Sequence, residues 1–126
     1  MIPCLYVALG GAVGCTLRYA VGVAMHRYTQ HFPYETFLVN TVSCFLIGCF
    51  ALLSSKTSWF TGEYKLLLMT GFCGGLSTFA AFSIQVLKQL QNGNFFMAGV
   101  NILANVIGCM LTVWLGYTLA SLCFKN

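Results

Sequence analysis

The stretch Gly71-Phe72-Cys73-Gly74-Gly75-Leu76-Ser77-Thr78-Phe79-Ala80-Ala81-Phe82-Ser83 sits inside the apolar run Lys65–Leu90, and its reading decides the fold. Paired glycines weaken a helix interior, whereas Ser-Thr favours a helix N-cap. Together they predict a helix that breaks near the bilayer midplane and restarts at Ser77 or Thr78. Irregular backbone at that depth must be buried in protein or line a cavity. Carbonyls freed at the break suit a dehydrated cation, and the N–H groups of the restarted helix suit an anion. The residues alone leave open an ion site of either sign.

Three further apolar runs flank this one: Pro3–Met25, Thr36–Ser54 and Phe95–Cys123. Each is long enough to cross a hydrocarbon core about 30 Å thick. Of the 126 residues, 59% are hydrophobic and 6% charged, whereas soluble domains carry about 25% charged residues. The expected fold is therefore an all-α membrane protein of four transmembrane helices in a single domain, 1–126, with lipid around it and no nucleic acid as partner. The first run lacks a basic leading region and contains Arg18, so it reads as a retained span, not a signal peptide. His26–Glu35, Ser55–Tyr64 and Gln91–Asn94 connect the runs, with Phe124–Asn126 as the tail. All seven cysteines lie in or at the ends of apolar runs with no Cys-x-x-Cys pair, which reads as small apolar packing.

Charge gives little orientation. Lys56, Lys65 and Lys125 fall on one side, Arg27 and Lys88 on the other, so the usual basic bias nearly cancels. A chain so balanced can insert both ways and pair antiparallel, dividing an inverted repeat between two copies; a single orientation that the count fails to resolve is the equal alternative.

Few polar groups enter the spans. Arg18 is the one formal charge deep in a run, where a cation costs at least about 2.5 kcal/mol, and it reads as facing protein or an aqueous vestibule. Gly10 and Gly14 share one helical face and let another backbone approach. Asn40 must bond to a neighbouring helix or donate its amide to a passing ligand, because an unpaired amide in hydrocarbon is costly. Asn101, Asn105 and Thr112 fall on one face of the fourth run at about 100° per residue, and interhelical bonding within the dimer is the expected role of the two asparagines. Phe79 and Phe82 follow the break on one face, continued by Gln85. Such rings usually pack, but their positive edges can also meet a small anion.

In this order, Gly-Gly-x-x-Gly-x-x-x-Arg at Gly10–Arg18, Asn40, and Gly-Phe-Cys-Gly-Gly-x-Ser-Thr-Phe-x-x-Phe-Ser at Gly71–Ser83 resemble the Fluc (CrcB) family of fluoride channels over nearly the whole chain. The resemblance implies an antiparallel, dual-topology homodimer in the inner or plasma membrane. Two pores would let fluoride leave the cytoplasm passively and so relieve its toxicity. It further implies a structural sodium ion at the dimer centre, held by the backbone carbonyls of Gly74 and Ser77. Asn40, Phe79, Phe82, Ser83 and Thr112 would line the fluoride pore, and Arg18 would add positive potential near a vestibule.

The chain departs from that pattern where donors are wanted. The family's Phe-Ser-Thr-Phe-Ser is here Phe79-Ala80-Ala81-Phe82-Ser83, with two hydroxyls fewer. Gln85 replaces a common glutamate, and Ser43 and Glu35 stand where glycines are usual. Thr112 comes one residue early, a turn of about 100°. A fluoride-selective channel is still expected, and a poorly conducting or non-conducting subunit of a channel dimer is the alternative. A cation-coupled small exporter ranks lower, because it needs a membrane-embedded carboxylate and the acidic residues, Glu35 and Glu63, fall in connecting segments. His26 and His31 have no catalytic partner at any recognisable spacing, so no enzyme is expected.

Overall fold

A computed structural model describes residues 1–125. Asn126, the end of the expected domain and tail, lies outside the described residues. The chain forms a first helix Ile2–Met25 with a 3-10 turn His26–Tyr28, a second helix Tyr34–Lys56, an interrupted third span Glu63–Gln91 and a fourth helix Phe95–Cys123. All four are long and apolar enough to cross a membrane. Glu35 and Glu63, expected in connecting segments, instead lie in the first turns of their helices, where a carboxylate meets the positive end of the helix dipole.

The third span holds two departures from plain α-helix. After one α turn, Glu63–Lys65, the chain widens into π turns over Leu66–Cys73 and returns to an α turn at Gly74–Leu76. It then breaks where Ser77 (φ −77, ψ 155) and Thr78 (φ −152, ψ 115) are extended, and restarts as the exit half, Phe79–Gln91. The break was expected from the paired glycines, yet Gly74 is itself helical at φ −64, ψ −35. The glycines have another use, which the packing makes plain.

Helices that run the same way lie side by side: the first against the entry half of the third span, the second against the fourth. Each contact is made of backbone. A Cβ on Gly10 would strike the Leu67 carbonyl, and one on Gly14 the Phe72 carbonyl. From the other side, a Cβ on Gly71 would lie 2.8 Å from the Val7 oxygen, and one on Gly75 2.8 Å from the Gly11 oxygen. Gly48 and Gly116 do the same between the second and fourth helices, against the carbonyls of Val113 and Phe45. Lipid tails are as apolar as leucine, so close backbone approach replaces the hydrophobic drive of a soluble core.

The connections are short. At the end of the third span Gly93 takes φ 74, and the N–H groups of Gly93 and Asn94 cap the Leu90 and Gln89 carbonyls at 3.0 and 2.9 Å. This is the glycine-terminated helix end that side chains with a Cβ resist. At the other side of the bundle Phe60, 1% exposed, stacks on Phe50 with ring centroids 5.5 Å apart and holds the Thr57–Gly62 loop down.

Candidate functional site

The break is clamped from the side. Thr78 N–H, which an α-helix would aim at the Gly74 carbonyl, donates instead to Asn40 Oδ1 at 2.7 Å. Asn40 Nδ2 returns a bond to the Thr78 carbonyl at 3.2 Å. One amide thus pairs with both backbone groups of an extended residue, as a neighbouring strand would, and leaves neither unpaired in the bilayer. Below this, Ser77 N–H and Oγ both donate to the Cys73 carbonyl, at 3.0 and 2.9 Å. Above it, Thr78 Oγ1 accepts from Ala81 N–H at 3.2 Å and caps the exit half. Thr78→Val is expected to lower thermal stability in detergent by about 0.5–2 kcal/mol, with Thr78→Ser restoring it; a valine variant that melts with the wild type would rule out a stabilising cap at this position.

Asn40 begins a chain of amides. Its Nδ2 also donates to Asn105 Oδ1 at 3.2 Å; Asn105 Nδ2 donates to Asn101 Oδ1 at 2.8 Å; Asn101 Nδ2 donates to Gln89 Oε1 at 3.2 Å. Every donor points the same way, so the bonds polarise one another. Asn101 and Asn105 are 0% and 5% exposed, and the bonds they make, expected between helices of the dimer, join the second, third and fourth spans of one chain. The amides lead to a polar hollow of about 290 Å³ lined by Gln30, His31, Gln85, Lys88, Gln89 and Asn92.

At its edge Gln85 Nε2 donates to Thr36 Oγ1 at 2.7 Å and Glu35 Oε1 at 3.2 Å. Glu35 Oε2 and Gln85 Oε1 are buried with no partner among the described residues. Glu35 thus brings a carboxyl to the Gln85 amide from the second helix.

A second, mostly apolar cavity of about 270 Å³ opens at the break, lined by Asn40, Ser77, Thr78, Phe79, Phe82 and Asn105 with Cys44, Val106, Cys109 and Met110. The structure therefore brings together Asn40, Phe79 and Phe82 beside Ser77. The two rings are tilted at 59° with centroids 5.4 Å apart; Phe82 is 7% exposed and Phe79 77%. Ser83, Thr112 and Arg18 do not line this cavity. Ser83 and Thr112 direct their hydroxyls to their own helices, at the Phe79 and Cys109 carbonyls. Arg18 follows Gly10 and Gly14 at the same spacing, so it leaves the first helix on the face that packs against the third span. It is half-exposed, and its Nη2 reaches Cys15 Sγ at 3.6 Å. Gly74 is exposed and Ser77 half-buried at the break.

Gln89 is the member of the amide chain that sequence reasoning did not single out. Its signal was present: it lies one turn beyond Gln85 on the face that starts at Phe82.

Residues 5–117 match the family profile described as CrcB-like protein, Camphor Resistance (CrcB). The chain is 40% identical over 116 residues to a protein of Prosthecochloris aestuarii named fluoride-specific ion channel FluC, covering 92% of this chain and 91% of that one. It is 39% identical over 117 residues to the protein of the same name from Geobacter metallireducens, covering 92% and 94%. With that of Paramagnetospirillum magneticum it shares 37% identity over 125 residues, covering 97% and 98%.

Proposed function

The chain belongs to the CrcB family, and on that footing we propose that it is a passive, multi-pass membrane channel through which fluoride leaves the cytoplasm. It is not an enzyme: family membership makes it an ion channel. The observation that carries the reading at atomic level is the cavity where Asn40, Ser77, Phe79 and Phe82 meet beside the broken third span. Fluoride is small and tightly hydrated, and a pore must replace its water with donors and positive edges at little cost. Phe79 and Phe82 would present ring edges and the backbone N–H groups at the start of the exit half would donate, joined by Asn40 once its amide leaves the Thr78 carbonyl or Asn105. Ser83 and Thr112 belong to the proposed path as residues whose hydroxyls must first leave their own backbone carbonyls. Arg18 would hold positive potential over a vestibule.

Two copies in opposite orientations would form the working channel, with two pores. The near balance of basic loop residues supports this, as does the exposure of Gly74, Phe79 and Ala80 at mid-membrane on the lone chain. The break also fits a structural sodium ion. Thr78 N–H is turned away to Asn40, so the Gly74 carbonyl is without its usual helical donor, and an extended Ser77 frees another hard oxygen. Sodium bound there would supply charge to hold two breaks together, and one chain's carbonyls are too few to complete its shell.

The test is fluoride efflux beside chloride efflux from liposomes holding the purified protein, with a potassium gradient and valinomycin. Fluoride-only efflux that needs no proton or sodium gradient, and that Phe82→Ile slows by at least about tenfold, a barrier increase of about 1.4 kcal/mol, is the expected result. A folded, reconstituted protein that passes no fluoride would instead make the chain a partner subunit, the reading that the missing hydroxyls at Ala80 and Ala81 favour.

A further inference from the structure

Asn40 and Asn105 hydrogen-bond at a sequence separation of 65 residues between two helices that run in parallel. Cys44 and Cys109 keep that separation one turn further on, and Gly48 meets Val113 on the next turn. Side chains four residues on in parallel helices stay opposed. The two thiols accordingly face each other from the second and fourth helices, and both line the cavity at the break. Cys73 on the third span is 1% exposed and is not among the residues lining this cavity. Beside the polar Asn40, Ser77, Thr78 and Asn105, the rest of the wall is soft or apolar: Phe79, Phe82, Val106 and the Met110 thioether. A neutral thiol is a weak donor, so anion passage has no need of this pair.

We infer that Cys44 and Cys109 form a two-coordinate site for a soft, thiophilic divalent cation, of which mercuric ion is the type. Thiolates select soft metals. Among the described residues no group of three or more His, Cys, Asp or Glu side chains could hold a metal ion, so a four-ligand zinc-type site is excluded and a linear pair remains. On binding, each thiol gives its proton to solvent as each sulfur–mercury bond forms, and the two thiolates cancel the two charges of the ion. The product is neutral and suits an apolar cavity. A monovalent soft ion would leave a net negative charge there, which burial penalises. The site sits in the wall of the proposed anion path, so the bound ion would obstruct fluoride, a consequence that rests on the channel reading.

The test uses full-length protein loaded with mercuric chloride and washed with excess glutathione. Mercury held by one sulfur exchanges away, whereas a two-sulfur chelate persists about 10²-fold longer, the gain from a second tethered ligand. The expected result is one mercury retained per chain, lost in Cys44→Ala and in Cys109→Ala and kept in Cys123→Ala. Methylmercury, with a single open bond, should wash off the wild type, a check that needs no variant to fold. Mercury retained in both single variants, or methylmercury held as firmly as mercuric ion, would overturn the site. Fluoride efflux from the same washed protein separates the two readings: retained mercury with efflux stopped supports both, and retained mercury with full efflux keeps the site and removes the cavity from the path.

Discussion

Asn40→Leu is expected to slow fluoride efflux by about 10²-fold or more, the largest effect of any single side chain at the break. Leucine keeps the branched shape, with some added bulk, and removes three hydrogen bonds, two to Thr78 and one to Asn105. Thr78 N–H and C=O would then be buried without partners, at about 1–3 kcal/mol each. The chain has one inexpensive escape, which is for Thr78 to rejoin the helix and send its N–H to the Gly74 carbonyl. That would close the break, remove the exposed N–H groups of the exit half and take Gly74 out of any cation site. About 3 kcal/mol lost from the conducting arrangement corresponds to roughly a hundredfold in rate. Asn40→Asp is the informative companion: it keeps an acceptor for Thr78 N–H but loses both donors and adds a negative charge. Wild-type efflux from Asn40→Leu would mean that the break holds without its clamp and that the Asn40 amide has no part in conduction.

The second large effect concerns assembly of the fold. Gly14→Ala and Gly116→Ala should each cost the protein its monodisperse folded form in detergent, because the new methyl group meets backbone at Phe72 or Phe45, which cannot rotate away. Overpacking ordinarily costs about 1–3 kcal/mol, and helices locked by carbonyl contacts can relieve it only by separating. Gly22→Ala and Gly99→Ala are the same chemical change at positions where an added Cβ meets nothing in the chain. They should be neutral or stabilise by up to about 1 kcal/mol, since alanine is the better helix former. The opposite outcomes within one residue type are read by size-exclusion profile and thermal midpoint. A Gly14→Ala protein that elutes and melts like the wild type would show that the first helix and the third span do not depend on bare backbone contact.

Much of this architecture was legible in the sequence, for reasons that can be located. Four apolar runs in a nearly uncharged chain admit no other class of fold, and Ser-Thr after the glycines marked the new helix start, where Thr78 does cap the exit half. The same motif misled on one detail. Gly74-Gly75 looked like the breaker, but Gly75 serves close approach to the first helix, and the break falls at Ser77–Thr78. A glycine in a span carries both meanings, and only the partner helix decides. The π turns over Leu66–Cys73 left no sign, because residue type scarcely distinguishes a wide turn from an α turn. Asn40 was singled out as a residue that must either bond to protein or serve a ligand; both of its N–H donors prove to be engaged by protein. Thr112 and Ser83 were chosen by motif position, and spacing could not tell whether their hydroxyls would point outward or bond to their own helices.

The pairing of like-directed helices also sets a timetable for the nascent chain. The first helix finds its glycine-lined mate only when Leu67–Leu76 has been made, and the second waits for Val113–Tyr117. Each delay is about 60 residues, or on the order of 3 to 12 seconds of synthesis at about 5–20 residues per second. During that interval each early helix stands in the bilayer beside lipid or translocation machinery, with bare glycine grooves and an unclamped Asn40. If the chain inserts both ways, as proposed, its orientation would stay open to revision until the third span arrives, and a ribosome that pauses near Leu66 would prolong the choice.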